Sequence, residues 1–135
     1  MKNIIVTAAV IIESGEILCM QRNQNKHDYI SYKYEFPGGK VEKGESNEAA
    51  LIRELKEELK INLHLTAQDF FMTVNHTYPD FNITLHAYVC PVSNRKFTMT
   101  EHINYQWVKP AKLNQLDWAA ADIPIVKRLM DNNYV

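Results

Sequence analysis

Residues 38–61 read GGKVEKGESNEAALIRELKEELKI, and the rest of the chain is best read outward from them. The stretch joins a glycine-rich turn to the strongest helical pattern in the sequence, expected over 46–60. At about 100° per residue, Leu51, Ile52, Leu55 and Leu59 share one arc, the face to be buried. Arg53, Glu54, Glu57 and Glu58 fall on the opposite side. Ser46 is a natural N-cap, and Glu48 sits in the first turn, where the helix dipole favours an acid. Glu54 precedes Glu57 by three residues and Glu58 by four, so the carboxylates are neighbours, at a cost of roughly 0.2–0.5 kcal/mol per pair in an isolated helix. A merely solvated face interleaves its signs; converging carboxylates are what hard divalent cations require. Three of the four glycines in the chain lie within 38–44. They let the backbone approach a ligand and leave carbonyls free for a metal, and they precede a helix start, where phosphate is readily received.

Either side of this stretch, apolar runs over 3–12 and 17–22 read as strands joined by a turn at 13–16. Residues 23–33 are polar and read as a loop, 34–36 as a short extended piece, and Pro37-Gly38-Gly39 as a breaker. Strands are expected over 70–77 and 83–90, linked through 78–82, and over 103–108. A closing helix is expected over 122–130, with Asp122 as N-cap and Pro124 in its first turn. Strands on both sides of a central helix, with a second helix at the end, give an α/β fold on a mixed sheet. The length of 135 residues fits a single domain over 1–135.

Composition excludes several classes. With 46% hydrophobic and 23% charged residues the chain is not of the disordered kind. Lys and Arg total 15 against 16 Asp and Glu, so a broad electrostatic grip on nucleic acid or on an acidic membrane is excluded. No apolar run approaches the ~20 residues that span a bilayer, and 4–12 lacks the pattern of a signal peptide. A cytoplasmic protein is expected. Cys19 and Cys90 read as buried thiols rather than metal ligands or a disulfide. The five histidines are scattered and none is assigned a metal; His102, next to Glu101, is placed near the site.

Gly39, five residues, Glu45, seven residues, then Arg53-Glu54-Leu55-Lys56-Glu57-Glu58-Leu59-Lys60-Ile61 resembles the Nudix box. One position departs: Lys60 stands where the family has Gly. That glycine ends the helix in a left-handed conformation, so Lys60 is expected to cost about 1 kcal/mol or to shift the helix end, without touching a carboxylate. The resemblance reaches beyond the box to the MutT and CTP pyrophosphohydrolase branch. It is carried by Glu35-Phe36-Pro37-Gly38-Gly39-Lys40, Tyr78-Pro79-Asp80 with Ile83-Thr84-Leu85, Glu101-His102 before Trp107, and Ala121-Asp122-Ile123-Pro124. It is weakest at 23–32, where this chain carries an insertion.

The resemblance implies an α/β/α sandwich with a curved mixed sheet between the box helix and the C-terminal helix. It implies hydrolysis of a nucleoside triphosphate to monophosphate and pyrophosphate, with CTP, dCTP or a modified nucleotide as substrate. Mg²⁺ is the implied cofactor, with Mn²⁺ as a substitute. Glu54, Glu57, Glu58 and Glu101 become metal ligands or the catalytic base, and the Gly39 carbonyl a further ligand. Arg53 orients the carboxylates and Glu45 supports the loop. Arg22, Phe36, Tyr78 and Asp122 become substrate-binding residues, Asp122 reading the base. The alternatives are MutT-like removal of 8-oxo-dGTP, hydrolysis of another nucleoside diphosphate derivative, and a non-catalytic nucleotide-binding module, against which the intact carboxylates argue. The implied partner is a free nucleotide, not a nucleic-acid polymer or a membrane; monomer and homodimer both remain open.

Overall fold

The apolar run near the N-terminus forms strand β1 (Lys2–Glu13), which is buried on both faces over its middle. Its side chains alternate: Ala8 and Val10 enter one core, Ala9 and Ile11 the other. A strand covered on both sides needs no polar face, which explains a composition of Val, Ile and Ala interrupted only by Thr7 over 4–12. The computed structural model describes residues 1–131, so the last four residues of the expected 1–135 domain lie outside the described residues.

The other strands are β2 (Glu16–Gln21), β3 (Tyr34–Glu35), β4 (Gly38–Lys40), β5 (Phe70–Thr77), β6 (Phe81–Pro91) and β7 (Asn104–Val108). They form one mixed sheet. β1 runs parallel to β6 along its whole length, from Lys2 opposite Phe81 to Ile12 opposite Pro91. β5 and β6 form an antiparallel hairpin, and β2 pairs antiparallel with β3 and β7. β1 meets β2 only at Ile12 and Glu13. Further back it pairs with β4 instead, Thr7 opposite Gly39. The sheet therefore divides beside β1, and the division is where the site lies.

Helix α1 (Asn47–Leu59) covers one face. Leu51, Leu55 and Leu59 are fully buried with Leu18, Met20 and Tyr88, while Ile52 is only half-buried at the margin. Each such leucine contributes about 2 kcal/mol by removal from water. Ser46 caps the N-terminus by accepting from Ala49 N–H. At the other end Lys60 takes the left-handed conformation, φ 58° and ψ 33°, and its N–H donates to Leu55 O. The helix end has not moved; a lysine occupies the conformation that glycine adopts without cost. Helix α2 (Ile123–Asp131) covers the opposite face with Ile125, Val126 and Leu129, alongside Leu113 and Trp118. The α/β/α arrangement is the expected one.

Three local expectations differ. Pro37-Gly38-Gly39 does not simply break the chain: Gly38 and Gly39 enter β4, because pairing with β1 supplies backbone partners that a local pattern does not reveal. A Cβ on Gly38 would strike the Thr7 carbonyl, so only glycine permits this approach. The 78–82 connection is tighter than expected, with Tyr78 N–H donating to Phe81 O at 2.8 Å and β6 starting at Phe81. Asp122 does not cap α2 with its side chain: a 3₁₀ turn, Ala120–Asp122, leads into that helix, and the Asp122 carboxylate accepts from Phe36 N–H at 3.2 Å.

Candidate active site

A cleft of about 940 Å³ opens at the divided sheet. Its acidic side is built from Gly39 of β4, Glu54 and Glu58 of α1, and Glu101 from the loop before β7. Four residues apart on one helix, Glu54 and Glu58 project together, as the spacing predicts. Glu101 reaches them from the far end of the sequence. Burial pushes the Glu58 carboxyl up to about 9, and the adjoining Glu101 and Glu54 charges add to the rise. Oε2 of Glu58 is buried and no protein donor reaches it. Gly39 lies so close to Glu54 that a Cβ there would overlap its carboxylate. The Gly39 carbonyl also takes a long contact, 3.4 Å, from the Thr7 hydroxyl.

Arg53 locks the base of this group. Its Nε and Nη2 grip both oxygens of Glu45 at 2.7 and 2.9 Å, Nη1 donates to Glu54 Oε1 at 2.8 Å, and Nη2 to Lys40 O at 3.1 Å. Arg53 and the Glu42 N–H together hold the Glu45 carboxyl down at about 2. One guanidinium thus ties the 40–45 loop to the helix and fixes the Glu54 rotamer, a use for which a fork of donors is suited and an ammonium is not. Glu57 stands apart: its side chain is 62% exposed, beside Arg53 Nη1 at 3.5 Å, and outside the cleft wall.

The other side of the cleft carries Arg22, Phe36, Tyr78 and Asp122. Arg22 Nη1 donates to Glu35 Oε1 at 3.2 Å. Phe36 packs on Trp118 with centroids 4.6 Å apart, and the Tyr78 hydroxyl accepts from Ala121 N–H at 3.0 Å. Both rings are largely buried in the wall rather than standing free in the cleft. Asp122 is buried, and burial with the nearby Glu35 charge raises its carboxyl well above the ordinary value.

Several pairings here had no local signal. Glu35 bridges Arg22 and His102, whose Nε2 lies 2.8 Å from Glu35 Oε2. Asp80 accepts from the Tyr29 hydroxyl at 2.7 Å and pairs with His27 at 3.3 Å, while the Tyr29 ring stacks on Tyr78 at 5.2 Å. The 23–33 segment is therefore fastened over the aromatic wall. These pairs join residues tens of positions apart, which no periodicity exposes.

The acidic group fits a hard divalent cation in donor chemistry: oxygens throughout, one of them buried and unpartnered, beside a backbone carbonyl. Among the described residues no three His, Cys, Asp or Glu side chains are gathered closely enough to hold a metal ion by themselves. That suits an ion such as Mg²⁺, which keeps waters and takes substrate phosphates beside a few carboxylates.

The NUDIX domain profile matches residues 1–129. The chain is 36% identical over 130 residues to a protein named CTP pyrophosphohydrolase from Escherichia coli, covering 96% of this chain and 93% of that one. It is 33% identical over 132 residues to the 8-oxo-dGTP diphosphatase of the same organism, covering 96% and 98%. The crystal structure of the MutT protein from Methanosarcina mazei superposes with a TM-score of 0.84 at 28% identity, covering 98% of this chain and 96% of that one. With its box helix, its glycine turn and its acidic cleft in the places described, the chain belongs to the Nudix family and is a Nudix hydrolase.

Proposed function

We propose that the protein hydrolyses nucleoside triphosphates to monophosphate and pyrophosphate with Mg²⁺, and that its preferred substrate carries cytosine. Nudix hydrolases use divalent metal ions. The observation that carries the reading is the unpartnered, buried Glu58 Oε2 facing Glu54 and Glu101 across from Gly39. Arg53 neutralises Glu54, but no protein donor reaches Glu58 Oε2, and carboxyls crowded in this way are costly to ionise unless a cation or a proton is gained there.

In this reading Glu54, Glu58, Glu101 and the Gly39 carbonyl hold the ion, and Glu57, exposed at the rim, is the remaining ligand or the acceptor of the water proton. Bound there, Mg²⁺ would neutralise phosphate charge and polarise the phosphoryl oxygens. Arg53 and Glu45 keep Glu54 in place throughout. Arg22 receives the phosphates or the base, Phe36 and Tyr78 wall the base, and the 23–33 segment keeps water from that side. Mn²⁺ serves in place of Mg²⁺. The partner is a free cytoplasmic nucleotide, consistent with the near-balanced charge.

Asp122 is the base-reading residue. Burial favours the protonated carboxyl, which offers one donor and one acceptor to match N3 and the exocyclic amine of cytosine. Support comes from the 36% identical relative named CTP pyrophosphohydrolase. A second reading, 8-oxo-dGTP hydrolysis, is favoured by the 33% identical relative of that name, and a neutral Asp122 can donate to a purine carbonyl. A panel of nucleotides with Mg²⁺, scored for pyrophosphate against phosphate, tests both. Release of pyrophosphate with the highest kcat/KM on CTP or dCTP is expected. Asp122→Asn should move the preference toward 8-oxo-dGTP, and an unmoved kcat/KM ratio would remove Asp122 from base reading.

A further inference from the structure

The 98–103 segment has no regular structure of its own, yet it is fastened on both sides of Glu101. Thr98 N–H donates to Leu59 O at 2.9 Å, and the Thr100 hydroxyl donates to Glu58 O at 2.6 Å. Both acceptors are carbonyls of the last turn of α1, which lack partners within the helix. On the far side, His102 Nε2 meets Glu35 Oε2 at 2.8 Å, and Ile103 N–H donates to Gln21 O at 3.0 Å. The His102 side chain is only 5% exposed, so its ring is locked. Phe97 adds a further hold, packing edge-on against Tyr105 at 4.8 Å.

Glu101 is thus suspended between the end of the box helix and the margin of the sheet. Its carboxyl group adjoins that of Glu58 in the wall of the cleft. Nothing regular within 98–103 would keep it there, and the chain is instead pinned at the residues immediately before and after. The pin before it lands on the backbone of Glu58 itself, so one hydroxyl-to-carbonyl bond ties the neighbour of Glu101 directly to Glu58.

We propose that Thr100 and His102 are positioning residues that hold Glu101 opposite Glu58 for hydrolysis. The proposal rests on the reading of the acidic cleft as the hydrolytic centre. Supporting partners of metal-binding side chains typically change activity 10–100-fold when removed. Thr100→Val should therefore lower kcat for Mg²⁺-dependent pyrophosphate release by about 10–100-fold. The nucleotide KM should stay within about twofold, since the change touches no substrate contact. Thr100→Ser keeps the hydroxyl and should restore kcat. In a Glu101→Gln background, Thr100→Val should cost nothing further, because the group it positions is already gone. The kcat loss of His102→Phe should vanish in that background too, whatever it does to KM through Glu35 and Arg22.

Thermal unfolding of each variant separates misfolding from misplacement. The proposal is overturned if Thr100→Ser is as impaired as Thr100→Val, or if the Thr100→Val loss is equal in both backgrounds. If Glu101→Gln is impaired while Thr100→Val and His102→Phe are fully active, the positioning role fails and the hydrolytic reading stands. If Glu101→Gln keeps full activity, the assignment of Glu101 to the centre fails, and the positioning role with it.

Discussion

Asp122 carries a stability signature apart from any role in catalysis. Its folded-state pKa lies well above the ordinary 3.8. From about that pH upward the unfolded chain has released a proton that the folded chain still holds. Stability therefore falls as pH rises from 3.8 through the folded pKa. Asp122→Asn keeps an oxygen for the Phe36 N–H and removes this dependence. Urea unfolding of both proteins between about pH 4 and 8 should show the variant gaining on the wild type as pH rises. A constant difference would contradict the burial argument. The two adjacent glycines offer a second contrast at this scale. A Cβ on Gly39 meets a flexible carboxylate, whereas one on Gly38 meets the Thr7 backbone. Gly39→Ala should fold with little loss of Tm but displace Glu54 and cut turnover. Gly38→Ala should cost about 1–3 kcal/mol of stability, or prevent the β1–β4 pairing. Similar Tm values for the two variants would refute this distinction. Neither glycine's role as a strand residue could be read locally. Next to proline they look like a breaker, and only pairing across 32 positions makes them a strand.

Among the elements, α1 was the most legible. Its period placed Leu51, Leu55 and Leu59 inward and Glu54 and Glu58 into the cleft, and its caps stand at Ser46 and Lys60. Side-chain direction at the rim was less so: Glu57 shares the acidic face yet stays in solvent, because Arg53 beside it is already engaged by Glu45 and Glu54. Lys60 is the local fault in this helix. Its left-handed backbone costs roughly 1–2 kcal/mol for an L-residue. The contact of its Nζ with Glu57 O at 3.2 Å recovers part of that. Lys60→Gly relieves the strain but loosens the unfolded chain, leaving a net gain of about 1 kcal/mol, read as a Tm rise of a few degrees. Activity should be unchanged, since no carboxylate moves. A fall in Tm would mean that the lysine contacts outweigh the backbone strain.

At the scale of the whole molecule, the site exists only because distant segments meet. β1 exchanges β2 for β4 and opens the sheet; α1 supplies two carboxylates from one face; the 98–103 segment adds a third. The layered α/β order was legible because a strand buried on both sides and two amphipathic helices leave few other arrangements. The Glu35–His102 pairing and the Tyr29–Asp80 contact were not, since they link residues 67 and 51 positions apart that no local pattern connects. No helix among the described residues is long and apolar enough to cross a membrane. The overall charge balance of 15 against 16 hides a concentration of carboxylates on one side of one cleft. The most direct test of that cleft as a metal-dependent hydrolytic centre is Mg²⁺-dependent pyrophosphate release by wild type and Glu58→Gln, with nucleotide affinity measured on both. The account predicts release that a chelator abolishes in the wild type, and a loss of roughly 100-fold or more in the variant with nucleotide still bound. Undiminished release by Glu58→Gln, or release by the wild type that a chelator leaves intact, would contradict it.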